Sequence, residues 1–438
     1  MRTLLLIVVL GSLLPLALAY PHVGLLLWGW LAVMQPHQEV WSLPPWLQLN
    51  LITALVTILC WLVSSEPKLP PPGPIPILLG CLLLWMGLSQ IYSLRPQHSW
   101  VYLDRDIRVL LFAIMSLVLL RNRTRIHAMV WVLAVSIGYH GVLGGGFTLL
   151  TAGRARVYGP PDSMIGDNNT LGLALVITLP FLNYLRQQSR HRLVRLGLIV
   201  TIALCVVAIF GTQSRGTFVA FAALCLLFVV KARSKLVAIL LISTVGLGAL
   251  YFMPERWQER MKTITTADED SSFQGRVDAW IIAYEIAKAR PLVGAGLRVP
   301  YLQDAIDPFL SEPRKARAAH SIFFEFLGSL GFVGLGILLA ILYFTWRNMR
   351  WIARHARGDP RLGWAYDLAQ NGQLSFLAFL VGGSAVSLDF WEGFWLLVAI
   401  THRLRWLVEQ QLAATDPGVG PAKPSLAHIP ADRVSLRR

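Results

Sequence analysis

The chain has 438 residues, 55% of them hydrophobic and only 14% charged, with a mean hydropathy of +0.56. Soluble domains carry about a quarter charged residues, so this composition argues against a soluble enzyme and for an integral membrane protein. The formal net charge of +15 does not imply a nucleic-acid partner, because the basic residues sit mostly in short loops between apolar runs, where they set membrane orientation.

In lipid every backbone polar group needs an internal partner, so long apolar runs mean helices. A β-barrel would alternate in short segments, and residues 241–249 and 335–342 do not alternate. The N-terminus, Met1-Arg2-Thr3 followed by apolar residues 4–19, has the outline of a signal peptide, with Ala17-Leu18-Ala19 as a cleavage look-alike. A second apolar run, 23–34, follows at once, so a retained first helix is expected. Spans are expected at 3–19, 22–35, 47–63, 75–92, 105–120, 126–147, 168–185, 196–211, 215–231, 235–253, 320–346, 368–387 and 391–408. The proline-rich run 70–76 is a loop. Cys60, Cys81, Cys205 and Cys225 all lie in apolar segments without metal or disulfide spacing, and read as small buried hydrophobes.

The loops 121–125, 186–195, 231–235 and 347–361 are rich in Lys and Arg. Each is separated from the next by two spans, so all four fall on one side, expected to be the cytoplasm. Residues 149–167, 211–215 and 254–319 then face the periplasm of a bacterial inner membrane. Counting back puts Met1 outside if both short N-terminal spans cross. With one of them re-entrant or interfacial, about twelve spans result. The expected fold is an all-α integral membrane protein of about twelve transmembrane helices with one large periplasmic loop containing amphipathic helices. Its parts are N-terminal transmembrane helices over 1–253, the periplasmic loop over 254–319, C-terminal transmembrane helices over 320–410 and a polar, disordered cytoplasmic tail over 411–438. Within the loop, Val277, Trp280, Ile281, Tyr284 and Ala287 recur at helical spacing among Arg276, Asp278, Glu285 and Lys288, the pattern of an amphipathic helix over 275–290.

The outward segments hold an unusual number of cations: Arg154, Arg156, Arg215, Arg256, Arg260, Arg276, Arg290, Arg298, Arg314, Lys315 and Arg317. Positive-inside statistics disfavour this, so the cluster asks for a reason; the blander reading is that long loops escape the bias and that basic loops meet anionic headgroups. Arg215 stands apart. Gln213-Ser214-Arg215-Gly216 joins two spans with almost no loop, and an ionisable residue so close to the bilayer is a functional candidate unless it merely snorkels. Guanidinium groups bind phosphate oxygens in pairs, so the outward cluster suits a phospholipid or a polyprenyl pyrophosphate. His320 ends the basic run 314–319 and begins a span; nearby positive charge keeps an imidazole neutral and able to accept a proton. Glu325, five residues on, either orients a group there or simply stabilises the helix. Asp167, Asn168 and Asn169 precede another span and either cap its helix or bind sugar hydroxyls. Asp104-Arg105-Asp106 has the spacing of a divalent-cation site but reads better as the acidic first turn of a helix, and Asp268-Glu269-Asp270 reads as a solvated loop.

In order along the chain, residues 28–41 (WGWLAVMQPHQEVW), 131–146 (WVLAVSIGYHGVLGGG), 158–169 (YGPPDSMIGDNN), 213–216 (QSRG), 253–280 (MPERWQERMKTI to GRVDAW) and 319–331 (AHSIFFEFLGSLG) resemble the O-antigen ligase superfamily of polytopic inner-membrane proteins. The resemblance is closest to the branch of exosortase-associated O-glycosylation ligases. It implies transfer of a glycan from undecaprenyl pyrophosphate to an acceptor, lipid A–core oligosaccharide in lipopolysaccharide biosynthesis, with no cofactor, nucleotide or required metal. By similarity Arg215 and Arg276 bind the donor pyrophosphate and His320 is the catalytic base. Arg154, Arg156, Asp167, Asn168, Asn169, Gln213, Ser214, Trp280, Arg314, Arg317 and Glu325 are further candidates for binding substrate.

The chemistry of the residues agrees with that resemblance. Polyprenyl pyrophosphate is a good leaving group, arginines stabilise the charge it gathers, and His320 takes the acceptor proton. Double displacement needs a nucleophilic carboxylate beside the sugar, for which Asp167, Asp278 and Glu325 are unconvincing, so inversion is expected. A polysaccharide polymerase and a protein O-oligosaccharyltransferase share the same donor chemistry. A polyprenyl-linked glycan transporter is the reading from a different class, disfavoured because no inverted repeat is visible.

Overall fold

The computed structural model describes residues 2–39, 48–232, 234–255, 257 and 271–414. Arg256, Arg260, the acidic run 268–270 and residues 415–438 of the expected tail lie outside the described residues, while 411–413, expected as the start of that tail, are the last residues of the final helix. The described chain is helical throughout: α1 (Arg2–Ala19), α2 (Pro21–Met34), α3 (Leu49–Val63), α4 (Pro74–Ile91), α5 (Pro96–Leu119), α6 (Arg123–Leu150), α7 (Asn168–Gln188), α8 (Arg192–Gly211), α9 (Arg215–Lys231), α10 (Lys235–Phe252), α11 (Ser271–Ala289), α12 (Ile322–His355), α13 (Gly363–Gly383) and α14 (Glu392–Ala413). Each expected span has its helix, and a helix, α11, forms over the expected 275–290 segment, but its buried side is Ala279, Ile282, Ala283, Ile286 and Ala287, with Tyr284 exposed, and not the expected face of Val277, Trp280, Ile281 and Tyr284.

The helix starts follow local chemistry. Pro21, Pro74 and Pro96 sit where a missing N–H costs nothing. Asn122, Asp167, Ser214 and Ser234 each accept a first-turn amide through the side chain. Pro96 also starts α5 nine residues before its expected position, so Asp104 and Asp106 fall in the third turn and not in an acidic first turn.

Pro74–Ile91, Arg123–Leu150, Arg192–Gly211 and Ile322–His355 are long and apolar enough to cross a membrane, and Leu6–Ala19, Pro21–Met34, Leu49–Val63 and Lys235–Ala249 are shorter apolar helices. Twelve crossings remain the sequence expectation, and four rest on length and composition alone. α5 misses because Asp104, Arg105, Asp106 and Arg108 fall within it. Large apolar side chains stand exposed along the outer helices, Leu84 at 77%, Leu193 at 71% and Leu236 at 68%. A surface of that kind needs hydrocarbon around it, so the protein is an α-helical membrane protein.

The core centres on α7, whose residues are buried on almost every side by α6, α8, α9 and α13. Small residues allow the close approaches. A Cβ at Gly145 would lie 2.3 Å from the Leu204 carbonyl of α8, and one at Gly172 would lie 2.4 Å from the Thr217 hydroxyl of α9.

α12 is broken at Gly331, which adopts φ 70, ψ −171, a conformation that suits only glycine. The carbonyls freed by the break find other donors. Gly328 O accepts from Ala295 N at 2.9 Å, Ser329 O from Gly296 N at 3.0 Å, and Phe332 N donates to Pro291 O at 2.8 Å. Trp85 of α4 donates its Nε1 to Leu330 O at 3.0 Å, and Ser89 donates to Val293 O at 2.8 Å. The segment after α11 is thereby laced onto α4 and α12.

Candidate active site

The strap between α8 and α9 is stapled to the start of α7. Asn168 donates its Nδ2 to Thr212 O at 2.8 Å, Ser214 donates its hydroxyl to Asn169 Oδ1 at 2.7 Å, and Thr217 donates to Asn169 O at 3.2 Å. Asp167 caps α7, accepting from Asn169 N at 2.7 Å and from the Thr170 hydroxyl at 2.8 Å. Arg215 is the first residue of α9. Two helix N-termini therefore lie side by side, and each favours an anion through its amide groups and dipole. Gln213, at φ 53, donates to Gly153 O at 3.0 Å and accepts from Arg156 Nε at 3.3 Å, which brings the 151–157 turn into the same assembly. Arg154 is exposed on that turn.

His320 stands before α12 in the left-handed region, φ 47, with Ser321 extended behind it as the N-cap. Burial, then the positive charge of Arg276, holds its imidazole below the usual range; Asp167 pulls the other way and Arg298 adds to the lowering. Three segments distant in sequence, at 167, 276 and 320, thus share one electrostatic neighbourhood, and the staples above join the strap beside Arg215 to the first of them.

Trp280 links α11 to this turn. Its Nε1 donates to Ala319 O at 2.8 Å, and its ring stacks on Phe324 at 5.1 Å. Arg317 lies over Gly275, where a Cβ would fall 1.7 Å from its Nη1. Arg314 pairs with Asp278 and, at 3.7 Å, with Glu312, so its charge is already answered.

Glu325 is buried and fully engaged. It accepts from Ala319 N at 3.1 Å, Tyr301 OH at 2.6 Å and Ser387 Oγ at 2.7 Å, all through Oε1. Its Oε2 pairs with Arg298 Nη1 at 3.2 Å. Arg298 also pairs with buried Asp389 at 2.8 Å, whose carbonyl accepts from Trp395 Nε1 at 2.9 Å. This geometry ties Glu325 to the amide of Ala319, the residue before His320. Sequence reasoning missed Tyr301, Ser387 and Asp389 here. The available signal was Asp389 itself, a carboxylate inside the apolar run SLDFW.

The carboxylates of the Asp104-Arg105-Asp106 run are each held by an arginine of their own helix, Asp104 by Arg108 at 2.7 Å and Asp106 by Arg105 at 2.9 Å. Among the described residues no three His, Cys, Asp or Glu side chains group as metal ligands.

An apolar cavity of about 620 Å³ lies between α7, α8, α9, α10 and α13, lined by Val206, Phe210, Phe218, Phe221 and Trp257 among others. Phe218 is one turn from Arg215, so the cavity begins next to the strap.

Comparison with known proteins bears on this arrangement. Residues 200–339 match the family model described as O-antigen ligase, a stretch that contains Arg215, Arg276, Trp280, His320 and Glu325. Residues 1–191 match a family described only as one of unknown function. No curated protein matches the chain. The family match falls on the helices and turns that build the site, and over residues 200–339 the chain is similar to the O-antigen ligase family.

Proposed function

We infer, from the similarity of residues 200–339 to the O-antigen ligase family, a glycosyl-transferring enzyme of the O-antigen ligase or polymerase kind. We propose that the protein moves an O-antigen-type glycan from undecaprenyl pyrophosphate to lipid A–core oligosaccharide on the periplasmic face of the bacterial inner membrane. Arg215 and Arg276 hold the donor pyrophosphate, and the two adjacent helix N-termini supply further positive potential. Charge builds on the departing pyrophosphate in the transition state, where fixed cations stabilise it. His320 takes the proton of the acceptor hydroxyl as that oxygen attacks the anomeric carbon. The C–O bond to pyrophosphate breaks on the opposite side, so the anomeric centre inverts. No metal step is required. The apolar cavity beside Arg215 suits the isoprenoid portion of such a donor.

The observation that carries this reading is the shared electrostatic environment of His320, Arg276 and Asp167, with burial and Arg276 favouring the neutral imidazole. A neutral imidazole beside fixed cations is what deprotonation next to a diphosphate demands. The test is reconstitution of purified protein with lipid-linked glycan and three acceptor conditions: lipid A–core, excess donor alone, and a protein acceptor. Transfer to lipid A–core, lost in His320→Ala and in Arg215→Ala and Arg276→Ala separately, is expected. Chain growth on donor alone identifies a polymerase instead, and transfer to protein identifies a protein ligase. Full transfer by the folded His320→Ala variant removes the base assignment.

A further inference from the structure

A second cavity, this one basic, lies on the face opposite His320. α5 starts beside the Ala295 loop, where Leu94 N donates to Ala295 O at 3.0 Å, and ends at Leu119, so the turn from Leu120 into α6 lies at the far end of the bundle. There the proline-rich segment crosses the last turns of α14. Between them is a cavity of about 320 Å³, whose lining includes Pro67, Leu69, Arg121, Arg403, Trp406 and Gln410.

The charges around it do not balance. Glu66 is shared by two arginines, Arg121 at 2.9 Å and Arg125 at 2.7 Å. Arg403 donates its Nε to Leu120 O at 3.3 Å, and among the described residues no carboxylate pairs with it. Three guanidinium groups thus face one carboxylate, next to apolar helix surface where charge repulsion is poorly screened. The rest of the lining is amphipathic. Trp406 is half-buried, and Leu69 is 81% exposed beside the arginines, a leucine position that favours a ligand with an apolar body over a free ion. Basic pockets between transmembrane helices take phosphate headgroups in this way.

We propose that this cavity binds the phosphate headgroup of an anionic phospholipid, with Arg403 and Arg121 as its donors and Trp406 against the glycerol and upper acyl region. The site is separate from the catalytic assembly and independent of the transferase reading. It fixes the junction of α5, α6 and α14 to an inner-leaflet lipid.

The experiment uses the full chain purified in a neutral detergent, exchanged against phosphatidylglycerol, phosphatidylcholine or inorganic phosphate, with bound ligand counted by native mass spectrometry. Retention of phosphatidylglycerol over phosphatidylcholine is expected. Each of Arg403→Gln and Arg121→Gln should weaken that retention about fivefold, Arg403→Lys less than Arg403→Gln, and the exposed Arg190→Gln not at all. Should Arg403→Gln fail to elute as a single folded species, Arg121→Gln carries the comparison. Equal retention of the two lipids, unchanged retention in the arginine variants, or displacement of phosphatidylglycerol by an equal concentration of inorganic phosphate each overturns the proposal.

Discussion

Trp280 Nε1 donates to the Ala319 carbonyl at 2.8 Å, so the helix that carries Arg276 is clamped to the peptide immediately before His320. Replacing Trp280 with phenylalanine keeps the ring stack on Phe324 and removes only this hydrogen bond, worth about 1 kcal/mol. The expected result is about a fivefold loss in kcat with donor KM nearly unchanged, measured in the reconstituted transfer assay. An unchanged kcat would show that the clamp does not position the imidazole.

The acidic limb of the pH profile should report His320. A base works in its neutral form, and burial together with Arg276 lowers the imidazole pKa, so activity should persist below the pH at which an ordinary histidine protonates. Arg276→Gln removes a lowering influence, which raises the pKa and moves the limb to higher pH. Asp167→Asn removes the raising influence and moves it to lower pH. Rate–pH profiles of the two variants shifting in the same direction would contradict this account. His320→Ala itself should cost about 10²–10⁴-fold in rate, and each arginine variant about 10²–10³-fold.

Glu325→Ala strips the buried Arg298 of one of its two carboxylates and leaves Tyr301, Ser387 and the Ala319 amide without their shared acceptor. Breaking a buried pair in this way costs about 3–5 kcal/mol. Thermal unfolding in detergent should show a large fall in Tm. Glu325→Gln keeps the hydrogen-bond acceptor and should fall less.

Gly145→Val drives a branched side chain into the Leu204 carbonyl, against which even a methyl group would sit at 2.3 Å. The variant should separate α6 from α8, lower the yield of folded protein and reduce Tm. Val219→Ala, at an exposed position on α9, is the matched control and should leave both unchanged.

Much of this architecture was legible in the amino-acid order. Apolar runs predict thirteen helices, and the period of Val277, Trp280, Tyr284 and Ala287 predicts α11 as a helix but not its buried face, which Ala279, Ile282, Ala283 and Ile286 form instead. What escaped was non-local. Asp389 and Glu325 are 64 positions apart and meet only through Arg298, and no spacing rule encodes a pairing that depends on how two loops fold against the start of α12. The sequence leaves Asn168 and Asn169 either to cap α7 or to meet sugar hydroxyls, and in the structure Asn168 Nδ2 and Asn169 Oδ1 staple α7 to the strap before α9; a cap motif predicts the local bond and not the cross-helix one. The segments at 213–216, 275–280 and 319–325 were singled out for their charge and their resemblance, and the electrostatics of His320 and the bonds from Ser214 and Trp280 place them in one assembly.

The interruption at Gly331 has a mechanical consequence. Because the carbonyls it frees are taken by residues 295 and 296 and by Trp85, the extramembrane ledge over 291–297 shares the rigidity of the transmembrane bundle beneath it. Amide hydrogens of Ala295 and Gly296 should therefore exchange with solvent as slowly as those in the middle of α4, making this surface a fixed rim instead of a swinging flap.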